Sequence, residues 1–252
     1  MSAIFPGLDS MSDPARLARA VFIDKDGTLV ADVPHNVDPA QLRFTPHALE
    51  GLKLLADAGY LLIVVTNQPG IARGLFTRAQ LTRLQHALAD MMAREGVPLT
   101  DFYACPHAPG PAGPVPGCLC RKPAPGLLRQ AARAHQIDLA RSWMIGDILD
   151  DVEAGRRAGC RSVLLDVGSE TVWRISPLRT PQLRAGNLLD AARAILAADE
   201  DCVERETSPL AAQPQPEPNE AQRSALGGVA RAASLLHTAM LRARASQPGS
   251  PS

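Results

Sequence analysis

Leu61-Leu62-Ile63-Val64-Val65 is an unbroken apolar run that stops abruptly at Thr66-Asn67-Gln68. A strand with one solvated face would alternate polar and apolar side chains. This one does not, so both of its faces must be covered. Strands buried on both faces belong to parallel sheets with helices packed on each side, which restricts the chain to an α/β architecture. Two shorter runs repeat the pattern. Ala20-Val21-Phe22-Ile23 leads into Asp24-Lys25-Asp26-Gly27-Thr28-Leu29, and Trp143-Met144-Ile145 leads into Gly146-Asp147, with Asp150 and Asp151 close behind. Further strands are expected near Phe102-Tyr103 and at Ser162-Val163-Leu164-Leu165.

Helical spacing takes over between the strands. Thr45 opens one helix, with Pro46 at its first position, Leu49, Leu52 and Leu55 on one face, and Gly59 as its stop. Thr77-Arg78-Ala79-Gln80 reads as a capping box ahead of a stripe of Leu81, Leu84, Leu88 and Met91, ended by Gly96. Asn187 to Leu196 is the expected last helix of the domain. These stripes have the spacing of core residues.

In open α/β sheets, ligands bind outside the carboxyl ends of the strands. Here that is where the apolar runs give way to polar chemistry. Asp24 and Asp26 stand two residues apart at a strand end, so their side chains aim the same way. Gly27 then lets the backbone turn sharply. Two such carboxylates repel unless a cation lies between them or one is protonated. Mg²⁺ suits them, as a hard cation that takes oxygen ligands and leaves room for a substrate phosphate. Taken alone, Asp-x-Asp-Gly also fits a solvated acidic turn or a calcium loop.

The ordered set Asp24-x-Asp26-Gly27-Thr28, Thr66-Asn67, Lys122-Pro123 and Gly146-Asp147-x-x-x-Asp151 resembles the four motifs of the haloacid dehalogenase superfamily of phosphohydrolases, over about residues 20 to 166. The resemblance implies a Mg²⁺-dependent phosphomonoester hydrolase working through an aspartyl-phosphate, a route that divides one very high barrier into two lower ones. It implies Asp24 as the nucleophile. It implies Asp26 as the acid that protonates the leaving oxygen and then the base that deprotonates water. Thr66 and Lys122 would hold the phosphoryl oxygens. Mg²⁺ would sit on Asp24, Asp147 and the backbone carbonyl of Asp26, with Asp151, one helical turn later, in an outer role. Asp150, about 100° around a helix from Asp151, is the expected bystander.

Cys105-Pro106-His107 and Cys118-Leu119-Cys120 are two short chelating pairs separated by a Pro/Gly-rich loop, directly before Arg121-Lys122. Three thiolates and an imidazole select Zn²⁺ and make a closed structural site. The alternatives are a loop of free thiols or an internal disulfide. The second is disfavoured because no signal peptide is visible and cytosolic thiols stay reduced. Cys160, after Gly159, reads as core, and Cys202 as incidental in a polar segment.

This loop narrows the resemblance to the branch of heptose 1,7-bisphosphate 7-phosphatases and histidinol-phosphate phosphatases. Thr66-Asn67-Gln68-Pro69-Gly70-Ile71-Ala72-Arg73-Gly74 is similar to the heptose enzymes' Thr-Asn-Gln-Ser-Gly-Ile-Ala-Arg-Gly, whose Ile-Ala-Arg-Gly histidinol phosphatases usually lack. The resemblance therefore implies hydrolysis of the 7-phosphate of D-glycero-D-manno-heptose 1,7-bisphosphate, in ADP-heptose biosynthesis, with Asn67, Gln68, Arg73 and Arg121 as substrate-binding residues. One departure stands out. After Gly-Asp the heptose enzymes usually carry Lys and the histidinol enzymes often Arg, where this chain has Ile148. The rivals are a histidinol-phosphate or other small sugar-phosphate phosphatase and, from another class, a non-catalytic binding protein. Intact Asp24 and Asp26 speak against the last.

Only 39 residues separate Asp26 from Thr66 and 55 separate Thr66 from Lys122. Helices, strands and the zinc loop consume both stretches, leaving no room for a cap domain. The expected fold is thus a Rossmann-like parallel sheet with helices on both faces, capless and haloacid dehalogenase-like, with the zinc loop inserted at 105–120. The site should be open, closed mainly by a flap around Val33–Phe44 and the zinc loop, with His35, Asn36 and Asp38 of the flap as candidate substrate contacts.

Residues 1–19 read as a leader, with Met11 an alternative start, and 20–198 as the phosphatase domain. Residues 199–252 read as a linker and a largely disordered tail. The linker is rich in acids and prolines, while 221–245 is basic, acid-free and apolar at helical spacing, a candidate partner- or membrane-surface helix weakened by Gly227-Gly228. Zero net charge leaves no electrostatic footprint for nucleic acid, and no apolar run approaches the ~20 residues of a membrane span. The expectation is a cytoplasmic monomer acting on a small sugar phosphate.

Overall fold

The computed structural model describes residues 17–110 and 117–207. Most of the leader, part of the 105–120 loop, and the tail with its candidate helix at 221–245 lie outside the described residues, as does the side chain of Cys202.

Six strands form one parallel sheet: β1 (Ala20–Ile23), β2 (Leu61–Asn67), β3 (Asp101–Cys105), β4 (Trp143–Gly146), β5 (Arg161–Leu165) and β6 (Leu183–Ala185). Their order across the sheet is β3-β2-β1-β4-β5-β6. The chain builds outward from β1 in one direction and then returns to build outward in the other. That reversal brings the carboxyl ends of β2, β1 and β4 side by side, at the position where such sheets bind ligands.

Alternation along the strands divides the core between two faces. Val21, Ile23, Leu62, Val64, Trp143, Ile145, Val163 and Leu165 share one cluster with buried residues of α1 (Ala48–Asp57), α2 (Arg78–Arg94) and α5 (Leu188–Thr207). Ala20, Phe22, Ile63, Val65 and Met144 share another with α3 (Gly126–Ala134) and with Ala154 of α4 (Leu149–Ala158). Each buried Leu, Ile or Val contributes about 1.5–3 kcal/mol through removal from water. The unbroken apolar runs of the sequence are therefore two half-faces read as one string.

The capping box forms as expected. The Thr77 hydroxyl accepts from Gln80 N at 3.2 Å, and Gln80 Oε1 accepts from Thr77 N at 2.8 Å. Several boundaries differ from expectation. α1 starts at Ala48 rather than at Pro46, because His47 adopts a left-handed conformation at φ 60° and interrupts the first turn. In α2 the fully buried methionine is Met92; Met91 is only half-buried. β6 was not expected. α5 continues past Leu196 to Thr207, so the expected domain end at residue 198 falls inside a helix.

Candidate active site

The loop after β1 is closed tightly. Leu29 N and Val30 N both donate to Lys25 O, at 3.0 and 2.9 Å, and Gly27 N donates to Val30 O at 2.9 Å. Gly27 has φ 82°, and a Cβ there would stand 2.2 Å from Asp147 Oδ2. At the end of β4, a Cβ on Gly146 would stand 2.2–2.3 Å from Cβ, Cγ and Oδ2 of Asp151. Both glycines thus vacate space that a carboxylate-bearing side chain fills.

The charges brought together are unbalanced. Asp24, Asp147 and Asp151 are buried, and their carboxylate oxygens lie within 4.8 Å of one another. Lys122, itself buried, donates from Nζ to Asp24 Oδ1 at 2.5 Å and to Val65 O at 2.9 Å, and lies 2.7 Å from Asp151 Oδ1. Burial disfavours its charge, but Asp151 and Asp24 more than offset this and hold its pKa above the ordinary lysine value. Burial raises the pKa of Asp147, and the neighbouring Asp24 raises it further. Burial also pushes Asp151 up to about 7 despite the attraction of Lys122. Three buried carboxylates against one lysine leave an excess of negative charge on hard oxygen donors, and this set fits a divalent cation such as Mg²⁺.

Asp26 stands beside this group. Its Oδ2 accepts from Gln68 Nε2 at 3.0 Å and its Oδ1 pairs with the buried Lys25. Burial raises its pKa, with Lys25 pulling the other way. An acid whose protonated form is favoured can deliver a proton to a leaving oxygen. Gln68 also donates to Thr66 Oγ1 at 3.0 Å, fixing the hydroxyl at the end of β2. Asn67 turns sideways: its Nδ2 donates to Lys122 O at 3.1 Å, and its Oδ1 accepts from Lys122 N at 3.0 Å. This pair of hydrogen bonds to the backbone holds Lys122 at the mouth of the sheet. Thr28 Oγ1 donates to Asp147 Oδ1 at 3.0 Å.

These groups line a cavity of about 350 Å³ formed by Asp24, Asp26, Asp32, Thr66, Asn67, Lys122, Asp147, Ile148 and Ser169. Gln68 lies directly behind the lining. Arg73 is exposed outside it, and the guanidinium of Arg121 reaches His107 O at 3.4 Å rather than the cavity. In the flap, Asn36 and Asp38 are occupied locally. Asn36 Oδ1 accepts from Asp38 N at 2.7 Å, and Asp38 Oδ1 accepts from Ala40 N at 3.0 Å. Neither they nor His35 line the cavity. Asp150 pairs with Arg179 at 2.5 Å, away from the lining. Asp32 and Ser169 line the site without having been singled out from the sequence. Position was the available signal, since both follow strand ends on the ligand-binding side of the sheet.

A second cluster stands at the end of β3. Sγ of Cys105, Cys118 and Cys120 and Nδ1 of His107 lie 3.1–3.7 Å apart over five pairs. Four such ligands around a tetrahedral metal stand about 3.5–3.8 Å apart, given bonds of about 2.0–2.3 Å. The donor set therefore fits a metal ion. Burial opposes ionisation of Cys118, but the backbone N–H of Arg121 and the neighbouring thiols outweigh it and bring the thiol to about 7. The loop is joined to the strand-end carboxylate cluster on both sides. Gln68 N donates to Cys105 O at 2.8 Å, and Arg121 N donates to Cys118 Sγ at 3.3 Å, one residue before Lys122.

Comparison with known proteins agrees with this geometry. A family model for haloacid dehalogenase-like hydrolases matches residues 119–191. D-glycero-beta-D-manno-heptose-1,7-bisphosphate 7-phosphatase of Escherichia coli is 37% identical over 174 residues, covering 67% of this chain and 85% of that protein. The alpha-anomer 7-phosphatase of Photorhabdus laumondii is 36% identical over 158 residues, covering 61% of this chain and 85% of that protein. Among solved structures, the heptose bisphosphate phosphatase of B. bronchiseptica, complexed with magnesium and phosphate, superposes with a TM-score of 0.59 at 30% identity. It covers 71% of this chain and 99% of its own.

Proposed function

The chain belongs to the heptose bisphosphate phosphatase family of haloacid dehalogenase-like hydrolases, and from that membership we propose that it removes the 7-phosphate of D-glycero-D-manno-heptose 1,7-bisphosphate in ADP-heptose supply. The observation that carries this reading is the buried group of Asp24, Asp147, Asp151 and Lys122, with Asp26 protonatable beside it.

Asp24 attacks phosphorus, forming an Oδ–P bond as the ester P–O bond breaks. Asp26 gives its proton to the departing sugar oxygen and later takes one from the water that releases phosphate. Thr66 and Lys122 hold the non-bridging phosphoryl oxygens, and being already fixed by Gln68, Asn67, Asp24 and Asp151 they need little reorganisation. Mg²⁺ would be held by Asp24, Asp147 and the Asp26 backbone carbonyl, with Asp151 behind. When bound it would neutralise phosphate charge. Asn67, Gln68, Arg73 and Arg121 are proposed around the substrate, the first two by fixing Lys122, Thr66 and Asp26.

The Cys105, His107, Cys118, Cys120 cluster would hold a structural Zn²⁺ that sets the position of Arg121 and Lys122. Among the described residues no helix is long and apolar enough to cross a membrane. We propose a cytoplasmic monomer, with a catalytic domain from residue 20 through α5 and a tail beyond it.

The test is phosphate release from heptose 1,7-bisphosphate and histidinol phosphate in parallel, with Mg²⁺. Release from the bisphosphate is expected. Preference for histidinol phosphate would move the substrate assignment, and silence on both would overturn the heptose reading in favour of another small sugar phosphate.

A further inference from the structure

Lys25 lies in the turn that carries the chain from Asp24 to Asp26. Its carbonyl accepts from Leu29 N and Val30 N, which fixes its backbone. Its side chain is only 1% exposed and lies outside the cavity lining. Taking an ammonium out of water is costly unless it is paired. Its hydrogen-bond partner among the described residues is Oδ1 of Asp26. The other buried lysine, Lys122, reaches Asp24, Asp151 and the Val65 carbonyl instead. Each buried lysine therefore attends to a different member of the Asp24 and Asp26 pair.

Asp26 is held from a second side. Gln68, also buried, donates from Nε2 to Asp26 Oδ2 at 3.0 Å and to Thr66 Oγ1 at 3.0 Å. One donor on each oxygen opposes rotation of the carboxylate about its Cβ–Cγ bond. Each carboxylate oxygen can accept twice. A second position thus remains on each, and Asp26 is part of the cavity lining. The carboxyl group stands between a buried cation and the space for the reacting ester.

We propose that Lys25 is a positioning residue: through Oδ1 it fixes the Asp26 carboxyl group on the path of the proton that the leaving oxygen takes up, an inference that rests on the phosphatase reading above. The ester P–O bond breaks with its electron pair going to the sugar oxygen, and the proton passes from Asp26 to that oxygen. An alkoxide is a strong base and leaves poorly, so a misplaced acid slows its departure. p-Nitrophenolate is a weak base and departs without the proton. Loss of Lys25 therefore separates the two kinds of ester.

The experiment measures kcat/KM for heptose 1,7-bisphosphate and for p-nitrophenyl phosphate, with Mg²⁺, in wild type, Lys25→Met and Lys25→Arg. This quantity reports the steps up to departure of the leaving group, so water attack on the aspartyl-phosphate, common to both esters, does not enter. Lys25→Met should lower it roughly ten- to a hundredfold for the heptose ester, part of what a general acid supplies, and less than about threefold for the aryl ester. Lys25→Arg, which keeps a cation and its donors, should recover part of the loss. Equal losses for both esters would make Lys25 a purely structural residue, and no loss for either would mean that Asp26 is positioned without it; both outcomes overturn the proposal. Should Lys25→Met fail to fold, Lys25→Gln, shorter and uncharged, should give the same split. Should wild type leave the heptose ester intact, the heptose reading fails instead, and the split is read on an alkyl ester that it does cleave.

Discussion

The two ends of the sheet treat charge in opposite ways. At the end where the strands begin, the Asp199 carboxylate of α5 is matched by Arg19 at 3.0 Å, Arg161 at 2.5 Å and the Tyr60 hydroxyl. Arg19 also covers the Tyr60 ring at 4.2 Å and Arg161 the Trp143 ring at 4.1 Å. Asp199 and both arginines are each paired, and the aromatic faces add cation–π attraction. At the end where the strands stop, three buried carboxylates crowd together and one lysine pairs with two of them. Such repulsion costs stability, and groups perturbed in this way cluster at functional sites. The first end fastens the fold, and the second is where we propose the chemistry takes place. The same sheet separates them by the length of a strand.

That contrast can be broken most severely at Asp24. Asp24→Asn cannot attack phosphorus and should lower phosphate release by more than about 10³-fold. Its melting temperature should hold or rise, because one of the crowded negative charges is gone. Turnover within tenfold of wild type would remove Asp24 as the nucleophile.

Next in size is the thiol cluster, where both properties should fall together. Elemental analysis should find about one zinc per chain, and Cys118→Ser should lose it. The loss of metal binding energy should be felt locally, since the sheet has its own core. With the Arg121 N–H···S bond gone, Lys122 loses part of its support, so activity should drop roughly tenfold or more and melting by several degrees. Metal-free protein from careful preparation would withdraw the prediction.

Asp199→Ala should show the opposite profile to Asp24→Asn. Two arginines and a tyrosine hydroxyl lose their acceptor, at about 1–3 kcal/mol, or on the order of 5 °C in melting temperature. kcat should be unchanged. A cut after Ala198 removes the same carboxylate and should carry at least this penalty, whereas a cut after Thr207 leaves α5 whole. Equal melting temperatures for the two truncations would show that Asp199 fastens nothing.

The same contrast explains which parts the sequence made legible. β1, β2 and β4 announce themselves because strands buried on both faces must be apolar throughout, and their polar ends carry the chemistry. β6 gave no such signal. It is a three-residue edge strand, Leu183-Arg184-Ala185, covered on one side only and only partly buried. Asp199 was hidden by its neighbours, since Asp199-Glu200-Asp201 reads as solvated linker until the fold brings Arg19 and Arg161 to it. Asp32 and Ser169 lie in loops without periodicity, so only the topology of the sheet assigns them to the cavity. Catalytic candidates sit at fixed offsets from strand ends and can be read in one dimension. The side chains that balance or shape the site come from distant segments and cannot.

The smallest expected effect sharpens the comparison at the rim. Ile148 lines the cavity where relatives of the resembling branch usually carry lysine, and among the lining residues Lys122 is the single cation. Any grip on the second phosphate must then come from farther out, from Arg121 or Arg73, which stand outside the lining as the structure rests. Ile148→Lys adds a cation at the rim that meets the distal phosphate equally in ground and transition states. It should therefore lower KM for heptose 1,7-bisphosphate roughly three- to tenfold with kcat changed by less than about twofold, the signature of uniform binding. KM for heptose 7-phosphate should barely move, and added salt should erode the gain because the rim is open to solvent. A fall in KM for both substrates would mean that lysine attracts the reacting phosphate itself, and the functional division between rim and reaction centre would have to be redrawn.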